Sequence, residues 1–234
     1  MSSIILYHGS DHIINEPKYS LGKINNDYGK GFYCTDNFDL ACEWAVKYNT
    51  NGFVNKYSLD LDNLKVLNLL DEKYNILNWI AILLKYRTFN LDDEISIEVK
   101  EYLLKNFLID ISKFDLVIGY RADDSYFSYA QSFISSSISL RTLSKAMYLG
   151  NLGSQIVLVS KEAFKHIKFI DSNYVLKDDY YNKFIIRDTK ARLDYRNLNK
   201  NNKRLKDDIY ALDIIREEIR QDDKRLFKYL LKWL

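Results

Sequence analysis

Cysteine, histidine, proline and glycine are all scarce in this chain of 234 residues, and each shortage excludes a class of protein. With two cysteines, three histidines and no C-x-x-C pair, a structural zinc site would consume most of the available ligands, and we predict no metal. One proline and eight glycines exclude collagen-like and proline-rich linker sequences. Cys34 and Cys42 lie eight residues apart and are typical of reduced, buried thiols.

Long apolar segments are also missing. The longest apolar run, near residues 79–84, is far shorter than the roughly 20 residues that cross a bilayer. The first residues have neither the basic region nor the apolar stretch of a secretory signal. We therefore predict a cytoplasmic protein without a membrane partner.

What is present is a large share of apolar and aromatic residues, 47% and 15%, which excludes general disorder. The net charge is only +2, but it is unevenly distributed. Residues 1–170 carry 18 basic and 20 acidic side chains, whereas residues 171–234 carry 16 and 12 and contain no glycine or proline. This shift predicts one domain over 1–170 and a charged helical extension over 171–234.

Hydrophobic periodicity predicts an α+β fold for the first segment. Short apolar or alternating runs predict strands at 4–7, 28–35, 53–61, 114–120, 155–159 and 167–170. Helical spacing predicts helices at 40–48, 74–86, 95–107, 126–133 and 140–149.

The extension is predicted to be helical from residue 180 onward. Its apolar residues recur at intervals of seven, at Leu205, Leu212, Ile219, Leu226 and Trp233. Two interpretations stay open: the helix packs on its own domain, or it forms a seam for a partner chain.

Three short motifs carry the candidate chemistry. His-Gly-Ser at 8–10 ends the first predicted strand, Gly-Lys-Gly-Phe-Tyr at 29–33 lies on the second, and Gln155 opens a late strand. In this order the motifs resemble the ADP-ribosyltransferase superfamily, on the branch related to diphtheria toxin and the poly(ADP-ribose) polymerases. Trp44 lies eleven residues after Tyr33, where that branch places a second stacking aromatic residue. The string Gly-Tyr-Arg-Ala-Asp-Asp-Ser-Tyr-Phe at 119–127 is similar to that of a bacterial family within the same superfamily.

The resemblance covers about residues 4–170 and implies an ADP-ribosyltransferase-like split mixed β-sheet core with flanking helices and a C-terminal helical extension. It also implies a site for NAD as a substrate. His8 would hydrogen-bond the adenosine ribose, Gly9 would let the backbone approach the nicotinamide carboxamide, and Ser10 would add a hydroxyl contact. Tyr33 and Trp44 would sandwich the nicotinamide ring. The implied catalytic residues are His8, Tyr33 and Gln155.

Position 155 departs from the related enzymes, which have glutamate there. A glutamine accepts a hydrogen bond from the 2′-hydroxyl of the nicotinamide ribose, but it places no negative charge beside the ribose cation that develops. Three interpretations follow: a slower mono-transferase, substitution by another carboxylate such as Asp123 or Asp124, or NAD binding without transfer. Poly(ADP-ribose) synthesis is not expected, because elongation in the related enzymes relies on that glutamate.

The residues at 121–127 either cap the following helix or face the NAD cleft. In the second case Arg121 lies near the pyrophosphate, and Asp123, Asp124 and Tyr126 are auxiliary or acceptor-side residues.

The predicted function is an NAD-dependent mono-ADP-ribosyltransferase with a protein or nucleic-acid acceptor. By analogy of fold it would be a toxin of a bacterial toxin–antitoxin or phage-defence module, with an antitoxin protein on its C-terminal helices. The alternatives are an NAD glycohydrolase, a non-catalytic NAD or ADP-ribose binding module, and an interaction protein that uses its heptad tail.

Overall fold

The structure of the protein, a computed structural model, describes residues 3–19, 21–122, 124–149, 153–201 and 203–229. They form a mixed α+β fold with two sheets and surrounding helices. The strands are β1 (Ser3–Ser10), β2 (Phe32–Cys34), β3 (Gly52–Asp60), β4 (Val66–Asn68), β5 (Leu116–Tyr120), β6 (Ser154–Leu158) and β7 (Ile167–Val175). The helices are α1 (Phe38–Ala45), α2 (Ile76–Tyr86), α3 (Glu94–Phe107), α4 (Asp124–Ile134), α5 (Leu140–Ala146), α6 (Ala163–His166), α7 (Lys177–Lys200) and α8 (Ala211–Arg216). Short 3₁₀ turns lie at Ile111–Lys113 and Lys224–Tyr229.

The two sheets meet beside the predicted motifs. One sheet is antiparallel in the order β1-β3-β7, and the other has the order β2-β6-β5-β4, with β4 and β5 parallel. A backbone bridge between Tyr7 and Thr35, with N···O distances of 2.8 and 2.9 Å, joins β1 to the residue after β2. This bridge brings the end of β1, with His8, next to β2, with Tyr33.

Three hydrophobic cores hold the described sheets and helices together: the smallest lies between α1, β3 and β7, and the other two are called the smaller core and the larger core. The smaller core combines buried side chains from both sheets, among them Leu6, Tyr57 and Leu158. The larger core surrounds α2, in which every residue from Ile76 to Leu84 is buried. Because α2 is apolar on all sides, it can only be stable inside the protein. Asn75 begins the helix by accepting a hydrogen bond from the Leu77 amide, at 2.9 Å.

Helix α1 packs on β1 and β3 at distances that only glycine permits. A Cβ at Gly9 would lie 2.2 Å from the carbonyl oxygen of Ala41, and a Cβ at Gly52 would lie 2.0 Å from that of Ala45. Asn37 begins α1 by accepting a hydrogen bond from the Leu40 amide at 3.0 Å. The close approach places the last turn of α1, with Trp44, beside the end of β1.

The prediction of one continuous helix from residue 180 is wrong. Helix α7 ends at Lys200, and the chain then folds back through α8 and the second 3₁₀ turn. The Ile209 carbonyl accepts a hydrogen bond from the Leu140 amide at 2.7 Å, and Ile219 and Leu226 are buried in the larger core. The seven-residue spacing therefore arises from separate short elements that pack on the first segment, while Trp233 lies outside the described residues.

The predicted boundary between residues 170 and 171 lies inside β7, which pairs with β3 on both sides of that position. Beyond it, α7 is polar, and Ala191 is its one buried residue among those described. Arg187 on α7 donates to Glu43 on α1 at 2.7 Å, and Tyr129 on α4 donates to the Ala191 carbonyl at 3.1 Å. These contacts fix α7 across α1 and α4. Within the described ranges, no helix combines the length and apolarity that crossing a membrane requires.

Candidate functional site

A cavity of about 1070 Å³ lies where the two sheets meet. Its walls come from the ends of β1, β2 and β6, the loop between β1 and β2, the residues after α2 and β5, and one face of α7. The volume is slightly above the usual range of about 300–1,000 Å³ for small-molecule sites and suits an extended ligand. The cavity brings together six of the predicted site residues: His8, Gly9, Tyr33, Trp44, Arg121 and Gln155.

His8 is held as a neutral ring. Its Nδ1 lies 2.7 Å from the Tyr33 carbonyl oxygen, which can only accept, so Nδ1 carries the hydrogen and Nε2 is left as an acceptor. Burial lowers the pKa of His8 below its ordinary value. The imidazole also stacks on Phe32, with ring centroids 4.3 Å apart. The cavity therefore contains a rigid hydrogen-bond acceptor at the end of β1.

Tyr33 is fixed by the turn that precedes β2. Its hydroxyl donates to the Gly29 carbonyl at 2.7 Å and accepts from the Tyr28 amide at 3.1 Å. Gly29 has a φ of 70°, a conformation that favours glycine. Burial raises the pKa of Tyr33 well above its ordinary value, so the hydroxyl stays protonated. Since both hydroxyl contacts are used in the turn, the ring is the part of Tyr33 that a ligand can contact.

Trp44 and Arg121 form a stacked pair in the cavity. The Arg121 guanidinium carbon lies 4.6 Å from the centre of the Trp44 ring, within the range of a cation–π interaction. Arg121 reaches this position because it directly follows β5, whereas Trp44 is carried there by α1. The pair shows that Trp44 presents a ring face suited to a planar cation.

Gln155 is paired with a buried carboxylate that the sequence analysis missed. Gln155, 3% exposed, donates from Nε2 to Asp27 Oδ2 at 2.8 Å and to the Tyr120 carbonyl at 3.2 Å. Asp27, 5% exposed, also accepts from the Ala122 amide at 2.8 Å and from Arg87 Nη1 at 3.0 Å. Both carboxylate oxygens of Asp27 are therefore held in place.

Burial raises the pKa of Asp27 above its ordinary value, and the hydrogen bonds from Ala122 and Gln155 and the charges of Arg87 and Arg121 offset only part of that rise. The sequence held one signal for this residue, an acidic side chain two residues before the Gly-x-Gly motif. Its Asn-Asn-Asp surroundings at 25–27 are those of an ordinary turn, and its partners lie 60, 95 and 128 residues away.

Ser10 does not line the cavity. Its hydroxyl donates to the His12 carbonyl at 2.5 Å and accepts from Asn55 Nδ2 at 2.9 Å. Asn55 is fully buried and also accepts from the Ile14 amide at 2.9 Å. Ser10 and Asn55 thus shape the loop after β1, which forms one wall of the cavity.

The 121–127 string is divided between the cavity and the core. Arg121 lines the cavity, whereas Tyr126 is 1% exposed and packs in the larger core, with its ring 5.5 Å from that of Tyr129. Tyr126 therefore lies in the core, whereas one of the two interpretations of this string predicted it at the NAD cleft. Asp123 and the side chain of Asp124 lie outside the described residues.

Helix α7 supplies a wall that the sequence analysis assigned to a separate extension. Phe184, Asp188 and Arg192 line the cavity, and Arg192 Nε donates to Asp188 Oδ2 at 2.8 Å. Their spacing of four residues, which places them on one helix face, was the available signal.

The cavity has an excess of basic side chains. Five basic residues line it, Lys18, Lys23, Arg87, Arg121 and Arg192. Three acidic residues line it, Glu16, Asp27 and Asp188. This balance favours an anionic ligand.

A family model described as "Protein of unknown function (DUF3990)" matches residues 4–169. No curated protein and no solved structure matches the chain.

Proposed function

The chain belongs to the DUF3990 family of proteins of unknown function, and from its cavity we propose that it transfers ADP-ribose from NAD to a protein or nucleic-acid acceptor. One observation carries this proposal: three motifs far apart in the sequence contribute His8, Tyr33 and Gln155 to a single cavity. We also propose that the two sheets, which meet at the Tyr7–Thr35 bridge, form the split core of an ADP-ribosyltransferase-like fold.

The state of His8 supports a role in binding a ribose. A ribose hydroxyl donates a hydrogen bond, and His8 Nε2 is an acceptor because Nδ1 is committed to the Tyr33 carbonyl. The lowered pKa of His8 keeps this acceptor available at neutral pH.

The basic side chains support binding of the pyrophosphate. Arginine suits this role because its guanidinium donates in a planar fork that matches phosphate oxygens. Arg121 and Arg192 enter the cavity from β5 and α7, on different elements of the fold.

Tyr33 and Trp44 support binding of the nicotinamide ring. The nicotinamide ring of NAD is a planar cation, and the Trp44 face that stacks on the Arg121 guanidinium can stack on it once Arg121 turns to the pyrophosphate. Two hydrogen bonds of the Tyr33 hydroxyl hold its ring in one position, which lowers the entropic cost of stacking on nicotinamide.

In the proposed reaction the bond between ribose C1′ and the nicotinamide nitrogen breaks. Both electrons of that bond leave with nicotinamide, which becomes neutral, and C1′ becomes cationic. The acceptor then donates an electron pair to C1′ and releases one proton to solvent. The residues of the cavity bind and orient NAD and stabilise the ribose cation.

A toxin role within a bacterial toxin–antitoxin or phage-defence module belongs to the same proposal and rests on the resemblance of the motifs alone. The same is true of an antitoxin that binds α7 and α8.

The test is incubation of the protein with adenine-labelled NAD and a bacterial lysate. Nicotinamide release is measured together with the label in the protein and nucleic-acid fractions. We expect release and labelled acceptor from the wild type, and strong losses in His8→Ala and Tyr33→Ala. The matched controls are His166→Ala and Tyr48→Ala, which lie outside the cavity and should behave as the wild type.

The other outcomes separate the alternatives. Nicotinamide release with free ADP-ribose and no labelled acceptor identifies an NAD glycohydrolase. NAD binding without release identifies a binding module and overturns the transferase proposal. If NAD neither binds nor reacts, the NAD site itself is refuted.

A further inference from the structure

We propose that Asp27 is the positioning residue of Gln155: it holds the glutamine amide with its carbonyl oxygen free to accept from the cavity, and it supplies the negative charge that an amide lacks. The observation is the buried contact of 2.8 Å between Gln155 Nε2 and Asp27 Oδ2. This inference rests on the proposed function, and different results of the experiment refute the inference and the proposed function.

The contacts of Gln155 determine which way its amide faces. Its Nε2 donates to the Asp27 carboxylate and to the Tyr120 carbonyl, at 2.8 and 3.2 Å. A carbonyl accepts only, and so does an ionised carboxylate, so the opposite orientation would set oxygen against oxygen at both contacts. Oε1 is therefore the atom that Gln155 offers to the cavity, and within the described part of the chain it accepts no hydrogen bond.

An acceptor in this position pairs with a hydroxyl group of the ligand. For NAD that group is the 2′-hydroxyl of the nicotinamide ribose, adjacent to the carbon that becomes cationic. The hydrogen bond orients the ribose while the bond to nicotinamide breaks and its electron pair leaves with nicotinamide.

Asp27 also changes the charge on Gln155. When an amide N–H donates to a carboxylate, the hydrogen bond polarises the amide and increases the negative charge on its oxygen. Arg87 on Oδ1 and the Ala122 amide on Oδ2 hold the carboxylate at a fixed position. The pair Asp27–Gln155 thus acts as one unit: Arg87 binds the Oδ1 side of the carboxylate, and the Oδ2 side polarises Gln155 toward the ribose cation.

This pairing explains why glutamine stands at position 155. A glutamate there would place a second carboxylate about 3 Å from Asp27, and two carboxylates at that distance share one proton. The charge that the sequence lacks at position 155 is supplied by a residue that contacts it in the fold.

The experiment compares the wild type with Asp27→Asn, Gln155→Glu and the double variant that carries both changes. Asp27→Asn removes the charge, Gln155→Glu adds a second one, and the double variant returns the pair to one charge. The matched control is Asp208→Asn, which removes a buried carboxylate paired with Arg141 outside the cavity. Nicotinamide release gives kcat and KM for each, and circular dichroism checks folding.

We expect Asp27→Asn to lower kcat about 100-fold, the loss typical of one electrostatic contact to a transition state. KM should change little, because the contact matters most when the ribose cation forms. Gln155→Glu should also lower kcat, and the double variant should recover activity above both single variants. Asp208→Asn should keep the wild-type kcat.

A second measurement tests the contact without activity. The side-chain NH₂ signals of Gln155, assigned in a ¹⁵N-resolved NMR spectrum by their loss in Gln155→Glu, should shift in Asp27→Asn and stay in place in Asp208→Asn. Unmoved signals in Asp27→Asn refute the contact. A wild type that releases nicotinamide while Asp27→Asn keeps its kcat refutes the inference and leaves the proposed function standing. A wild type that releases none refutes the proposed function, whatever the NMR result.

Discussion

Replacing Gly9 by alanine tests the closest approach in the fold. The resemblance gave this glycine a role in ligand binding, namely close contact of the backbone with a carboxamide. The structure gives it a different reason: the backbone of α1 occupies the space of a side chain. An added Cβ would lie 2.2 Å from the Ala41 carbonyl oxygen and 2.6 Å from the Ala45 nitrogen.

The size of the effect follows from those distances. Ordinary contact begins at 3.4 Å, so α1 must move about 1.2 Å away from β1. Overpacking of this kind costs about 1–3 kcal/mol, and we expect about 3 because helix backbone cannot rotate aside as a side chain can. The entropy that alanine removes from the unfolded chain returns only about 0.4–1 kcal/mol. For a chain of this length, the remaining cost of about 2–2.6 kcal/mol lowers Tm by about 4–10 °C.

The assay is thermal and urea unfolding of Gly9→Ala, followed by NAD titration of the folded variant. Because α1 carries Trp44, a shift of about 1 Å should weaken the proposed binding of NAD as well as lower stability. Ser3→Ala, at the exposed start of β1, is the control and should stay within about 0.5 kcal/mol of the wild type. A Gly9→Ala protein with the wild-type Tm would show that the packing of α1 on β1 is not as described.

Three further predictions concern other contacts. Arg187→Ala removes the partner of Glu43, whose side chain is 12% exposed, and should cost about 2 kcal/mol and speed chymotryptic cleavage within α7. Asn55→Ala removes a fully buried amide that bonds the Ser10 hydroxyl and the Ile14 amide, and should lower the free energy of unfolding in urea by about 2 kcal/mol. The folded pKa of His8 lies below its unfolded value near 6.5, so the unfolded chain binds more protons and stability should fall as pH drops below about 6.5. Urea titrations between pH 5 and 7.5 should show a shallower loss in His8→Gln.

Each of these has a contrary outcome. Equal cleavage rates for Arg187→Ala and the wild type would show that the ion pair does not hold α7. A urea midpoint of Asn55→Ala equal to that of the wild type would show that the loop after β1 does not depend on Asn55. A His8→Gln protein with the same pH dependence as the wild type would place the titration on other groups.

Much of the fold could be predicted because it follows from local patterns. The apolar periodicity of α2 and α3 and the apolar run of β5 are visible in the sequence, and the structure contains all three elements. The strand predicted at 28–35 is shortened to Phe32–Cys34, because residues 28–31 form the turn that binds the Tyr33 hydroxyl. Strand β7 runs past residue 170 because β3 continues to pair with it, a tertiary effect that no local pattern shows.

The candidate site divides in the same way. His8, Tyr33 and Gln155 belong to motifs that follow one another in a recognisable order along the chain. The sequence alone could therefore identify them as candidate site residues. Asp27 could not be identified from a motif, because its role depends on contacts with Gln155 and Arg87. Both residues are distant in the chain and near in space. The motif predicts a ligand contact for Ser10, but Asn55, 45 residues away, binds its hydroxyl, and no local pattern shows that contact.

The wall that α7 contributes has a consequence for variation within the family. The family model ends at residue 169, yet Phe184, Asp188 and Arg192 complete the cavity from beyond that point. Two chains alike over 4–169 and different afterwards would enclose different spaces around the same His8 and Gln155. Selectivity for the ligand would then change by exchange of one helix, while the strands that carry His8 and Gln155 stay the same.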